Sequence, residues 1–269
     1  MEKNISINEQ PPIVMTFSGH DPSGGAGIQA DIETLASIGC HCCPIITALT
    51  VQDTRNVVEL IPVDAAVIIE QARAILEDMP ISAFKIGLLG SIEAVQAVHT
   101  LINDYPNIPL VLDPIIKAGG GTELTTEAMI SATRDLILPL TKIITPNTDE
   151  LLSLSPSSDN LDASAQDLLM TGCEYVLVTG THAQTLKVEN ILYGTRGKIQ
   201  SYLWERLPHT YHGSGCTLAS AISGYLAHKL DIQEAITQAQ SFTWQALKHS
   251  HRLGMGQLLP NRLHWTIKS

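Results

Sequence analysis

Basic residues are scarce in this sequence: 16 Lys and Arg stand against 27 Asp and Glu, and the formal net charge is −11. Such a chain lacks the positive field that draws proteins to nucleic acid or anionic membranes, which leaves small-molecule chemistry open. No apolar run reaches membrane-spanning length, because Asp, Glu, Arg or Lys breaks each of the longest stretches. The opening MEKNISINEQPP is polar and has no apolar core, so no secretory signal is expected. Cysteines number five, an odd count that fits reduced thiols in a cytoplasm better than a disulfide framework. There is no linker, low-complexity segment or internal repeat. The expectation is a disordered or extended tail over residues 1–12 and a single domain over 13–269.

The remaining composition is that of an ordinary globular protein, with 44% hydrophobic and 16% charged residues, and 269 residues suffice to bury a core without disulfides or metal. The CHCC of Cys40 to Cys43 has the wrong spacing for a zinc knuckle and no completing ligand pair. It leads into PIITALTV, so its thiols are expected to enter a buried strand as small hydrophobes.

Short apolar runs alternate with helical stretches. IVMTFS, CPIITALTV, AFKIGLL, PLVLDPII, KIITPN and YVLVTGT read as buried strands. GAGIQADIETLASIG is expected to be a helix stopping at Gly39, and VDAAVIIEQARAILEDM another that Pro80 ends. Continuous apolar strands between amphipathic helices predict an α/β fold with a parallel sheet covered on both faces. From Asn190 to Leu207 the alternation around TRGK predicts an antiparallel hairpin. Two helices follow, from about Thr217 to His228 and from about Ile232 to His249.

Ligands in open α/β sheets bind outside the carboxyl ends of the strands, and the chain's unusual residues gather there. HGSGC opens a helix whose free amides and partial positive charge suit a phosphoryl group; a plain glycine-capped turn is the alternative. SGHDPSGGAGIQAD supplies a flexible loop at Ser23, Gly24, Gly25 and Gly27. Asp31 follows one turn into the helix, to hold an amino-heterocycle or merely to complement the dipole. In TPNTDE, Asn147 and Glu150 suit phosphate and a magnesium–water network, or simple helix capping. Asp113 ends the LVLDP strand, where a charge is seldom structural. Gly119 to Gly121 beyond it suggest a flap.

Together SGHDPSGGAGIQADIETLASIGC, ITALTVQDT, FKIGLLGS, LVLDP, TPNTDE and HGSGCTLASAI resemble the hydroxymethylpyrimidine and phosphohydroxymethylpyrimidine kinases of thiamine biosynthesis. The motifs run in that family's order from about Ile13 to Leu230. The resemblance implies a ribokinase-like three-layer sandwich, a central mostly parallel sheet with helices on both faces. It also implies ATP, Mg2+, an aminopyrimidine substrate and a cytoplasmic homodimer. Carried over residue by residue, Gly19, Asp31 and Gln52 would bind the aminopyrimidine. Gly213, Ser214, Gly215 and Cys216 would form the anion hole and the group beside the attacking hydroxyl. Asn147, Glu150, Thr179 and His182 would meet the nucleotide, and Asp113 and Glu150 the metal.

Thr179 departs from the family, many members of which have lysine there; Lys117 on the flap is a candidate substitute. Cys216 stands where many sugar kinases of the superfamily have Asp. A helix N-terminus lowers a thiol's pKa, which makes a thiolate base an expectation. A thiol that stays neutral has another use, in the second transfer to an already anionic phosphate. Like charges ~4 Å apart repel by about 4 kcal/mol at an effective dielectric near 20. Three rival readings accompany the kinase: a pyridoxal kinase, a pyrimidine-phosphate-binding protein with weakened transfer, and a sugar or nucleoside kinase of the same fold.

Overall fold

The computed structural model describes residues 10–180 and 186–266. Residues 1–9 of the expected tail, and His182, lie outside the described residues. The chain runs β1 (Ile13–His20), α1 (Gly27–Ser37), β2 (His41–Gln52), β3 (Val57–Pro62), α2 (Ala65–Asp78), β4 (Ile81–Ile86) and α3 (Ile92–Asn103). It continues through β5 (Leu110–Leu112), α4 (Glu127–Ala132), β6 (Ile143–Ile144), α5 (Thr148–Leu154), α6 (Leu161–Met170) and β7 (Tyr175–Thr179). The hairpin β8 (Lys187–Gly194) and β9 (Gly197–Glu205) then precedes α7 (Ser214–Ala227) and α8 (Ile232–Lys248).

The nine strands form one sheet in the order β3-β2-β1-β4-β5-β6-β7-β8-β9. Pairings from β2 to β7 are parallel, and the antiparallel ones, β2 with β3 and β7–β8–β9, close its two ends. The sheet separates two apolar cores, and strand alternation decides which residue joins which. Met15, Phe17, Leu110, Leu112, Ile144, Val176 and Val178 pack with the helices α2 to α6. Their neighbours Val14, Val111, Ile143 and Leu177 turn to the opposite face, where α1, α7 and α8 lie. The ribokinase-like three-layer arrangement is thus realised. The four cysteines outside α7 are unpaired, and Cys40 and Cys43 are buried, as small hydrophobes should be.

Strand β3 has no counterpart in the sequence reading. VVELIP is an edge segment with Val58 81% exposed and a terminal proline, so it lacks the buried, periodic run that marks the other strands. Among the described residues, no helix is long and apolar enough to cross a membrane.

Topology sets the site's address. The chain leaves β1 to one side for β2 and returns to its other side for β4. A crevice therefore opens at the carboxyl ends of β1 and β4.

Candidate active site

Helix starts single out one corner of the molecule. Side-chain oxygens of Asp64, Ser91, Thr126, Asn147, Asn160 and Asp231 cap α2, α3, α4, α5, α6 and α8. Helices α1 and α7 have no capping side chain; Ala26 and Gly213 stand at their N-caps. These two uncapped ends lie against each other. A Cβ on Gly213 would come 1.9 Å from the Gly25 carbonyl oxygen, and Gly213 has φ +82°, so only glycine fits. The amides of the first turn thus stay free for an anion. Helix α7 begins at Ser214 rather than near Thr217, which places Ser214, Gly215 and Cys216 inside that turn.

The two loops are tied from the side. Asp21 accepts hydrogen bonds from the Ser23 and Ala26 amides at 2.8 Å each. It also meets His212 Nε2 at 2.7 Å and the side chain of Gln52. Although burial opposes ionisation, these partners hold the Asp21 carboxyl well below the usual range. Gln52, half-buried, thereby faces the crevice rim with its amide fixed by Asp21. Gly19 sits just inside, where a Cβ would press on Leu88 Cδ2 at 3.1 Å.

Opposite α7's first turn stands Asp113, 4% exposed, immediately beyond β5. A Cβ on Gly215 would lie 3.5 Å from Asp113 Oδ1, so glycine leaves the carboxylate open to the anion pocket. Asp113 Oδ2 is buried with no hydrogen-bond partner. Burial raises the Asp113 carboxyl above its ordinary value, and burial together with Asp113 pushes Glu150 up to about 8. Glu150 Oε2 also accepts from the Asn147 amide at 2.8 Å, closing a capping box, so the capping alternative holds for Asn147 and Glu150. Capping uses Asn147 Oδ1, which accepts from Glu150 N at 2.9 Å. Asn147 bridges Thr179, whose amide donates to the Pro146 carbonyl at 2.8 Å.

Three expectations need correction. The Cys216 thiol is not a thiolate poised by the helix end: burial, and then Asp113, push it up to about 12. It is a neutral group hydrogen-bonded to Asp113. Asp31 does not face the crevice. It is fully buried, with Oδ1 accepting from Lys85 at 2.9 Å and Ser220 at 2.6 Å, and Oδ2 from Ser18 at 2.7 Å. Both oxygens are engaged inside the protein and the side chain has no exposed surface, so its amino-heterocycle role gives way to a supporting one. Lys117 lies on the exposed flap against Glu123 at 3.6 Å rather than over the pocket. The flap itself is a small hairpin, with Gly119 against Gln257 and Gly120 against Arg55 and Asn56.

Lys85, Ser18, Ser220, Asp21, His212 and Arg262 escaped the sequence reading. Lys85 left a signal, a lone charge in the buried run FKIGLL. Ser220 and Arg262 left none, because their partners are distant along the chain, 189 residues away for Ser220 and 45 to 238 for Arg262.

Two carboxylates are a fitting donor set for Mg2+, which prefers hard oxygens and keeps waters and substrate phosphates for its other positions. The orphaned Asp113 Oδ2 is the observation that supports the fit. No group of three or more His, Cys, Asp or Glu side chains forms a metal cage among the described residues.

Comparison with known proteins gives a consistent answer. A family model described as phosphomethylpyrimidine kinase matches residues 21–261. The hydroxymethylpyrimidine/phosphomethylpyrimidine kinase of Aquifex aeolicus is 34% identical over 91% of this chain and 97% of its own. A Geobacter sulfurreducens thiamine biosynthesis bifunctional protein is 32% identical over 90% of this chain, which spans 50% of that longer protein. Among solved structures, a Clostridium difficile phosphomethylpyrimidine kinase superposes with TM-score 0.76 and 30% identity, over 88% of this chain and 99% of that one. A Bacillus subtilis pyridoxal kinase, solved with ADP, gives TM-score 0.86 and 26% identity over 96% and 100%.

Proposed function

The chain belongs to the phosphomethylpyrimidine kinase family, and on that premise we propose that it phosphorylates 4-amino-5-hydroxymethyl-2-methylpyrimidine and then the monophosphate, using ATP. The observation that carries this reading is the pair of uncapped helix ends facing an unsatisfied carboxylate. The free amides of α7 receive the migrating phosphoryl group, and in-line transfer needs positioning and charge stabilisation more than covalent chemistry. Asp113 and Glu150 would hold Mg2+, which supplies countercharge to the phosphate oxygens when bound. Structures of related kinases with ADP and with an ATP analogue support the choice of donor.

In the Cys216–Asp113 pair the thiol, pushed up to about 12, is the neutral partner that donates to the carboxyl group. A raised Asp113 is a stronger base than an ordinary aspartate, so it is the proton acceptor for an attacking hydroxyl. The neutral thiol adds no charge next to a phosphorylated acceptor, which suits the second transfer. Gln52, at the rim, has an amide donor and acceptor for the ring nitrogen and amine.

A second reading, a pyrimidine-phosphate-binding protein, is favoured by one observation. Thr179 is uncharged and turned to Pro146, and Lys117 is paired on the flap. We infer a cytoplasmic location from the five unpaired thiols and the ATP chemistry. The homodimer would bury Leu49, Val51 and Ile61. These side chains share one face of the β2–β3 edge at 43%, 48% and 43% exposure, and sedimentation of the purified chain reads the assembly directly.

The deciding experiment incubates the protein with magnesium-ATP and the aminopyrimidine and follows products by mass spectrometry. Monophosphate followed by diphosphate is the expected result. No product from either acceptor, with tight binding of the monophosphate, replaces the kinase with the binding protein. Faster turnover of pyridoxal replaces the acceptor.

A further inference from the structure

Arg262 is among the largest fully buried side chains of the described residues, 1% exposed, and lies one residue beyond the segment that the family model matches. A guanidinium placed there needs an account, since burying it costs solvation that only well-aimed partners offset. Its partners belong to the two helices with uncapped starts and to the loop that leads into α1. Nε donates to Thr217 Oγ1 at 2.9 Å, and Thr217 Oγ1 in turn donates to the Gly213 carbonyl at 2.8 Å. Nη2 donates to the Gly25 carbonyl, and Nη1 to the Gly24 carbonyl at 3.4 Å. Nη1 also pairs with Glu33 on α1 at 3.1 Å, which balances the charge.

The Gly25 carbonyl is the group that a Cβ on Gly213 would strike. It therefore lies at the positive end of α7, where an unoccupied carbonyl would compete with phosphate for the free amides. Arg262 takes that carbonyl, and Gly24's, from behind. We propose that Arg262 is a positioning residue of the phosphoryl site. Its guanidinium fastens loop 24–25 to the first turn of α7, keeping the carbonyls turned away and the amides free for the transferring group. The inference rests on the kinase reading above.

Three variants test it, with wild-type turnover as the control: a wild type without activity breaks the kinase reading and leaves this one to its structural readout. Arg262→Lys keeps a cation but not the planar fork. Misplacement of reacting groups by about 1 Å costs on the order of 100-fold in rate, which is the drop expected in kcat. KM for the aminopyrimidine should stay within about twofold, since the acceptor rim is not held by this fork. In Arg262→Ala, added guanidinium ion should restore part of the rate. Amide hydrogen exchange should quicken over residues 23–27 and 213–217 in both variants and elsewhere stay as in wild type. Glu33→Gln, which keeps all the carbonyl contacts, should retain turnover.

An unchanged kcat in Arg262→Lys overturns the proposal. So does exchange that rises throughout the fold, or a loss in Glu33→Gln equal to that in Arg262→Lys, because each marks a purely structural ion pair. If Arg262→Ala does not fold, Arg262→Lys and Glu33→Gln still decide the matter.

Discussion

Two groups of buried charge lie within a few residues of one another at the strand ends, and they are built on opposite plans. Beneath the crevice, Lys85, Asp31, Ser18 and Ser220 form a closed set in which the ion pair is wholly buried and both carboxylate oxygens of Asp31 have donors. Across from it, burial raises Asp113, burial together with Asp113 raises Glu150, and Asp113 Oδ2 is left without a partner. A satisfied network fixes a shape, whereas an unsatisfied one stores an attraction for a ligand. The contrast separates scaffold from site without any bound molecule to mark the difference.

The comparison is broken most severely by removing one member of the closed set. Lys85→Met leaves a carboxylate buried without its counter-charge and should cost about 3–5 kcal/mol of stability, read by denaturant unfolding. The double variant Lys85→Met with Asp31→Leu should recover much of that loss. A single variant as stable as wild type would mean that the pair is not the closed unit described.

Asp113→Asn sharpens the other half. It removes an unsatisfied charge, so the protein should keep or gain stability while turnover falls about 100- to 1000-fold, the scale of a lost electrostatic contribution at a transition state. Equal losses of stability and rate would make Asp113 a scaffold residue like Asp31.

The smallest effect is a pH dependence. A carboxyl raised from 4.5 to about 8 in the folded protein binds its proton more tightly there than when unfolded. Its ionisation therefore withdraws stability as pH rises from about 4.5 to about 8. Mg2+ favours the ionised form, so the melting shift it produces should grow with pH through that window, by a few degrees, and vanish in Asp113→Asn. A shift independent of pH would detach Glu150 from the metal.

How far the sequence carried differs between these regions for a physical reason. Strands such as IVMTFS and YVLVTGT announce themselves because burial on both faces demands unbroken apolar runs. The edge strand β3 does not, being exposed on one side. At the site, HGSGC, LVLDP and TPNTDE were legible because glycines and carboxylates at strand ends have few other reasons to be there. The Cys216 thiol was misread because a helix end and a buried carboxylate push it in opposite directions, and only packing decides which prevails. Asp31 differs from its expectation for a related reason: the lysine and serines that consume it come from three other elements, β4, β1 and α7.

Helix α7 opens with the uncapped turn proposed for the phosphoryl group, and ten of its fourteen residues are buried in the middle of the protein. Donor chemistry is therefore written into the core, where nearly any replacement disturbs packing on several sides. The proposed surroundings of the acceptor, Gln52 and the flap, sit on the margin, where replacements are cheap. Descent can rewrite one without touching the other. The pyridoxal kinase that shares this architecture at 26% identity fits the division of labour proposed here, with a common core for the phosphoryl group and the acceptor selected at the rim.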